Sequence, residues 1–157
     1  MLIKKVKINK NESVQLEFKQ LIKNDAEEGE KWNTIKITSE DRPSIAFYEA
    51  LNKLVPHVAE ICEFTTNENN LKVKGVEFTY TGTDDIMGAR ILAEKILHNS
   101  DVNLQLKTPH KISEPYNDTD TQDKLFSEEA VQALQKILEE TEEYIKGERD
   151  QLKLDLG

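Results

Sequence analysis

One helical segment, flanked on both sides by stretches of alternating residues, limits what this chain can fold into. Residues 43–64 read PSIAFYEALNKLVPHVAEICEF, the longest stretch whose apolar residues recur at helical spacing. Its stripe consists of Tyr48, Leu51, Val55, Val58 and Cys62, with Phe47, Leu54 and Ile61 beside it. Pro56 lies inside the pattern and removes one backbone hydrogen bond. We therefore predict a core helix over residues 43–64 that is kinked at residues 52–55.

Alternating residues before this helix predict three strands. Residues 2–8 and 14–18 form a hairpin around turn residues 9–12, and residues 32–38 form a third strand. The apolar residues that share a face are Leu2, Val6 and Ile8, then Val14, Leu16 and Phe18, then Ile35 and Ile37. Lysines and other polar residues occupy the alternate positions, which predicts a sheet with one face in water.

A second β region follows the helix, and it contains a change of phase. Leu71 and Val73 have odd numbers, whereas Val76, Phe78 and Tyr80 have even ones. A β-bulge at Gly75 is the simplest device that keeps both sets buried on one face. Alternation over residues 102–106 predicts a further strand.

Residues 86–97, IMGARILAEKIL, fit two structures. Their composition and the spacing of Ala89, Leu92, Ala93 and Ile96 favour a helix. Their position between two predicted strands favours another strand of an antiparallel meander. The residues by themselves leave both open, with the periodicity favouring the helix.

The last third of the chain reads as a linker followed by a helix. Residues 113–124 are polar, and Ser127 can cap a helix that Glu128 and Glu129 begin. Leucines at 152, 154 and 156 alternate, which is typical of a strand-like tail. We predict one α+β domain: residues 1–112 form the sheet with the kinked core helix, 113–126 the linker, and 127–157 the C-terminal helix and tail. The sheet has about six antiparallel strands with the two helices packed on one face.

Charge and cysteine usage narrow the class of protein. The net charge of −9 argues against a general binder of duplex DNA, because phosphate affinity depends on lysine and arginine. Residues 1–23 carry six lysines against two glutamates, whereas residues 113–157 carry thirteen acidic residues against five basic ones. The single cysteine, Cys62, predicts a buried free thiol. No export signal or membrane span is visible, so we expect a cytoplasmic protein.

Six short blocks of the sequence carry a resemblance to known proteins: FYEAL at 47–51, HVAEICE at 57–63, VEFTY at 76–80, MGA at 87–89, TPHK at 108–111 and YI at 144–145 before Gly147. Together these blocks resemble a family of small, uncharacterised proteins of tailed phages and prophages of Gram-positive bacteria. The resemblance covers most of residues 30–150 and implies work inside an infected bacterium. That family carries no established activity, so no residue role transfers. Its counterpart of residues 86–97 is richer in β-branched residues, which moves the prediction there to a strand.

No pattern in the sequence indicates catalysis or a cofactor. The three histidines are far apart and lack the spacing of zinc ligands. Asp118, Asp120, Gln122 and Glu129 fit a calcium-loop register, but Asp123 stands where that loop needs glycine. We therefore predict no metal site, no cofactor and no catalytic residue. Whether the protein is an enzyme stays open, with the balance toward a binding protein.

Two sets of residues are candidates for binding. Tyr80, Arg90, His110 and Lys111 can converge on a small anionic ligand at one end of the sheet. Glu139, Glu140, Glu142 and Glu143 form an acidic run on the last helix that can bind a partner protein.

Two functions follow as hypotheses. The first is a non-enzymatic interaction protein that binds or sequesters a host or phage factor, either a protein or a small anionic effector, and so counters host defence. The alternative is an accessory factor in phage nucleic-acid metabolism that binds single strands through the lysine-bearing first hairpin and Trp32. Neither hypothesis involves binding to duplex DNA or to a membrane, and both leave open whether the chain forms a homo-oligomer.

Overall fold

The architecture is α+β, as the sequence predicted. A computed structural model describes residues 1–25, 29–64 and 70–156. The strands are β1 (Leu2–Ile8), β2 (Val14–Asp25), β3 (Gly29–Ser39), β4 (Leu71–Thr81), β5 (Ile86–Lys95), β6 (Leu104–Lys107) and β7 (Lys111–Ile112). The α-helices are α1 (Ile45–Asn52), α2 (Val55–Ile61) and α3 (Glu128–Leu156), and a short 3₁₀-helix spans Gln122–Lys124.

The seven strands form one open sheet whose described pairs are all antiparallel. The strand order is β3-β2-β1-β4-β5-β6, and β7 also pairs with β5. The hydrophobic core lies between one face of this sheet and the helices. Its largest fully buried side chains include Phe18, Phe47, Phe78, Leu54 and Leu134. The other sheet face is left to solvent.

The core helix breaks where the proline predicts. Ser44 caps α1 by accepting a hydrogen bond from the Phe47 backbone N–H at 3.2 Å, so the helix begins just after Pro43 rather than on it. α1 ends at Asn52 and α2 starts at Val55, with Pro56 in the first turn of α2, where its missing N–H costs nothing. The predicted kink at 52–55 is confirmed.

Two β-bulges determine which residues of β1 and β4 face the core. The pairing of β4 with β5 shifts between Val73 and Gly75, so the predicted bulge is confirmed. A second shift lies between Ile3 and Lys5 in β1, which no sequence signal indicated. Because of it, Ile3 is buried at 2% exposure and Leu2 is only half-buried, the reverse of what simple alternation predicts.

The ambiguous segment is a strand. Residues 86–95 form β5, with β4 on one side and β6 and β7 on the other. Its helical periodicity is misleading because a central strand buries residues on both faces, so that apolar residues do not alternate strictly. Met87, Ala89, Ile91 and Ala93 lie on the helix-covered face, all buried.

The C-terminal helix packs against α1 and β1. Ser127 accepts a hydrogen bond from the Ala130 N–H at 3.2 Å, which confirms the predicted cap. The helix runs through Gly147 to Leu156, so the strand-like tail predicted from alternating leucines is wrong. Leucines at 152 and 156 are also one helical turn apart, and the residues between them favour helix.

Cys62 differs modestly from its prediction. It is half-buried at the end of α2 rather than fully buried, and it packs against the core. Desolvation raises the pKa of its thiol, which keeps it protonated and weakly nucleophilic at neutral pH.

Candidate functional site

The solvent-facing side of the sheet is called the open face below. Its residues alternate with the buried residues of the same strands and pair with one another across them. They include Lys5, Lys7, Gln15, Glu17, Lys19, Trp32, Thr34, Lys36, Lys72, Glu77, Thr79, Arg90, Leu92, Glu94, Gln105 and Lys107. Seven of these side chains are basic and three are acidic, in a chain whose net charge is −9.

The charges of the open face alternate across the strands. Lys36 lies opposite Glu17, Glu17 opposite Lys5, Lys5 opposite Glu77, and Glu77 opposite Arg90. Directly opposed pairs of opposite charge stabilise a sheet by a few tenths of a kcal/mol to about 1 kcal/mol each. The carboxylates thus hold the middle of the row in register, and cations stand at both of its ends.

A shallow depression of about 620 Å³ lies at the centre of the open face. Its lining includes Lys4, Lys5, Glu77, Arg90 and His110. Lys4 is the bulged residue of β1, and its ammonium lies over the Tyr80 ring, 5.7 Å from the ring centroid.

His110 reaches the open face over a glycine. Its Nε2 lies 2.7 Å from Thr79 Oγ1, and a side chain at Gly88 would collide with the His110 ring. Desolvation, and then the charge of Arg90, lower the pKa of His110. The imidazole is therefore neutral at pH 7, which suits hydrogen bonding rather than charge pairing.

The structure divides the four predicted ligand residues between two faces. Arg90 and His110 are neighbours on the open face. Tyr80 packs against the core on the helix-covered side, where its hydroxyl donates to the Ile3 carbonyl at 2.9 Å and burial raises its pKa to about 12. Lys111 pairs with Ala89, also on that side. The alternation that assigns Tyr80 to the core face already separates it from Arg90.

Lys111 belongs to a different cavity. Its ammonium donates to the Asp123 carbonyl at 2.6 Å, which ties β7 to the 3₁₀-helix. The cavity beside it, of about 230 Å³, is also lined by His57, Glu60 and Ser127. This arrangement anchors the segment 113–126 rather than opening toward the sheet.

The four predicted partner-binding glutamates do not form one surface. Glu139 and Glu143 are exposed one turn apart on the solvent side of α3. Glu140 is half-buried and 3.2 Å from the Lys136 ammonium. Glu142 is half-buried on the side toward Tyr80, whose pKa its charge helps to raise. Glu139 and Glu143 are thus the exposed members of the set, and Glu139 lies 3.7 Å from the Lys136 ammonium.

Sequence reasoning missed a polar cluster beside the Gly75 bulge. Glu94 is only 9% exposed, and its carboxylate accepts hydrogen bonds from Asn103 Nδ2 at 3.3 Å and Gln105 Nε2 at 3.0 Å. Burial raises the pKa of Glu94, but these hydrogen bonds and the charges of Lys74 and Lys72 outweigh it, so the pKa is lowered overall. The sequence carries no clear signal for this cluster, since Glu94 is followed by the charged Lys95 and looks like an ordinary surface residue.

One end of the open face is apolar. Trp32, 37% exposed, lies directly opposite Leu21, 44% exposed, where β2 and β3 extend beyond β1. The Trp32 indole N–H donates to the Glu30 carboxylate at 3.2 Å. An aromatic ring next to a row of cations provides a stacking surface.

Clusters of metal ligands and membrane-spanning helices are both absent from the part of the chain that the structure describes. Among the described residues, no three histidine, cysteine, aspartate or glutamate side chains are grouped so as to hold a metal ion. Within the same residues, no helix is both long and apolar enough to cross a bilayer.

Comparison with known proteins does not identify a relative. The chain matches no protein-family model, no curated protein and no solved structure. The resemblance to phage proteins therefore stays a prediction, and the function has to be argued from the open face itself.

Proposed function

We propose that the protein is a binding protein that captures an anionic factor on the open face of its sheet, and that this factor is a single-stranded nucleic acid. The observation that carries the proposal is the segregation of charge. Seven basic side chains share the open face, while the excess acid of the chain lies elsewhere, mainly in residues 113–157. The phage setting and a role against host defence stay predictions from the resemblance.

The cationic and aromatic residues of the open face favour a single strand over a duplex as the ligand. Proteins that bind single strands combine a cationic surface, which follows the backbone, with aromatic rings on which bases stack. Trp32 and the neighbouring Lys19 and Lys36 offer this combination at one end of the sheet. A net charge of −9 opposes the closely spaced phosphates of a duplex.

The alternative partner is a protein with an acidic surface, because carboxylates also complement lysine rows. Such a partner needs no ring for stacking and does not use Trp32. The exposed Glu139 and Glu143 of α3 offer a weaker case, since two charges one turn apart on a solvated helix face are commonplace.

We predict that fluorescently labelled oligo(dT) binds the protein in low salt and that affinity falls steeply as salt rises. Lys19→Gln combined with Lys36→Gln should weaken binding about tenfold and reduce the salt slope by about 1 to 2, because each lost phosphate contact removes about one unit. Fluorescence anisotropy across a salt series measures both quantities.

Trp32→Ala should weaken binding further by about 1 kcal/mol or more, the typical value of one stacked base.

The matched control is Lys53→Gln combined with Lys146→Gln, which removes the same charge from exposed positions on the helix side. It should leave binding nearly unchanged. Equal losses in both double variants would show that only net charge matters and would contradict a site on the open face. A duplex of equal length that binds as tightly as the single strand would contradict the choice of ligand, and so would oligo(dT) that does not bind even in low salt.

A further inference from the structure

A smaller cavity of the open face lies beside the Gly75 bulge and has an unusual lining. Its volume is about 220 Å³, and it is lined by Lys7, Lys74, Leu92, Ala93, Gln105, Leu106 and Lys107. Three lysines thus line a cavity to which no carboxylate contributes. A compact anion fits this charge, whereas a cation or a neutral apolar ligand does not.

Lys74 gives the cavity its strongest feature. It is the extra residue of the bulge and is only 8% exposed. Among the described residues its ammonium forms no hydrogen bond and no ion pair within 4 Å. Its electrostatic partner is Glu94, whose carboxylate already accepts two amide hydrogen bonds. Since no buried side-chain nitrogen or oxygen of the described residues lacks a hydrogen-bond partner, the Lys74 ammonium is reached by solvent and its N–H donors are open to an anion in the cavity.

Lys7 and Lys107 also have N–H donors that are available to a ligand. Lys7 is half-buried on β1 directly opposite Gly75. Lys107 is 3.0 Å from Glu77, but an ammonium carries three N–H donors, and one ion pair leaves the others available. Gln105 donates to Glu94 through one N–H of its amide, which carries a second.

We propose that this cavity binds a phosphate group, with Lys74 as its principal cation. A phosphate offers several oxygens to donors that come from different strands, and lysine binds it as a point charge. The inference rests on the proposed function, since the cavity is part of the same open face, and it names the group that is recognised. The phosphate can belong to a free mononucleotide or to the backbone of a single strand.

Calorimetric titration with thymidine monophosphate, with inorganic phosphate and with thymidine tests the proposal. We expect the first two to bind and thymidine not to bind. Lys74→Met keeps an unbranched side chain but removes the charge, and should weaken phosphate binding about tenfold or more, the typical cost of a lost charged hydrogen bond. Lys74→Arg, which keeps the charge, should retain most of the affinity, and Lys53→Met on the helix side should retain all of it.

Oligo(dT) titrations separate the two sources of the phosphate. A loss of oligo(dT) affinity in Lys74→Met places the phosphate in the strand, and a loss confined to the mononucleotide assigns the cavity to a free nucleotide; both support the site. Wild-type phosphate affinity in Lys74→Met, or equal binding of thymidine and its monophosphate, overturns it. If Lys19→Gln with Lys36→Gln still weakens oligo(dT) binding, the proposed function survives that result; if neither change matters, both proposals fail.

Discussion

At the scale of single residues, the ionised carboxylate of Glu94 contributes to the stability of the folded sheet. Its carboxylate is nearly buried yet its pKa is lowered, because two amides and two lysines stabilise the charged form more than desolvation disfavours it. A carboxyl with a lowered pKa in the folded state contributes stability that is present above its unfolded value, near 4.5, and is lost as the pH falls through the folded value.

We therefore predict that Glu94→Gln destabilises the protein at pH 7 and that its difference from the wild type shrinks on acidification below about pH 4.5. Urea unfolding of both proteins at pH 7 and at lower pH values measures this difference. Glu49→Gln, at an exposed position on α1, controls for removing a carboxylate elsewhere. A difference between wild type and Glu94→Gln that stays constant across the pH range would rule out this electrostatic role.

The residue scale is also where sequence reasoning was least complete. Arg90 and His110 were predicted together and do lie together, because the loop before β7 carries His110 over Gly88, two residues from Arg90 in β5. Tyr80 shares the parity of Phe78, and that alternation places it on the opposite face from Arg90. The burial of Lys74 was not predicted, because a bulge residue does not follow the alternation of a regular strand. Its burial depends on which residues pack beside it in the folded sheet.

At the scale of elements, the Gly75 bulge holds β1 against β4. A Cβ at this position would overlap the Val6 carbonyl oxygen and lie 2.7 Å from Lys7 Cα, both backbone atoms that cannot move independently. Glycine thus allows the two strands to approach while Val73 and Val76 both stay in the core.

We predict that Gly75→Ala destabilises the protein by about 2 kcal/mol or more, since the strands must separate to admit the methyl group. Chemical denaturation measures the change in the free energy of unfolding. Gly147→Ala is the matched control: a methyl group there meets no atom within 4 Å, and in the helical α3 it should stabilise by up to about 1 kcal/mol. Similar stability of wild type and Gly75→Ala would show that the strand approach is not essential.

Elements were predictable where one periodicity dominated. The helical segment within residues 43–64, the proline break and the parity switch at Gly75 each have one local cause, and each was confirmed. The predicted apolar stripe was only partly right, because Tyr48 is exposed and Cys62 is half-buried. β5 was ambiguous because its burial on both faces depends on neighbours that are distant in sequence. The tail was misread because leucines at 152, 154 and 156 satisfy a spacing of two and a spacing of four at once.

At the scale of the whole molecule, the fold separates charges that the sequence mixes. Lysines alternate with apolar residues along β1, β2 and β4, so one sheet face collects them when the other face is buried under the helices. Of the described acidic side chains in α3, Glu128, Glu129, Glu139 and Glu143 are exposed, whereas Glu140 and Glu142 are half-buried. Composition indicates only an acidic chain, and the basic surface emerges from strand order and register.

If the open face binds a single strand as proposed, the residues perturbed by the bound oligonucleotide lie along that face. The measurement is the change in the backbone amide NMR spectrum of the isotope-labelled protein on addition of oligo(dT) in low salt. We predict shifts that follow the open face, at residues such as Lys5, Trp32 and Arg90, with the amides of α1 and α3 unchanged. Shifts concentrated on α3, or a spectrum that does not change at saturating oligonucleotide, would contradict the account.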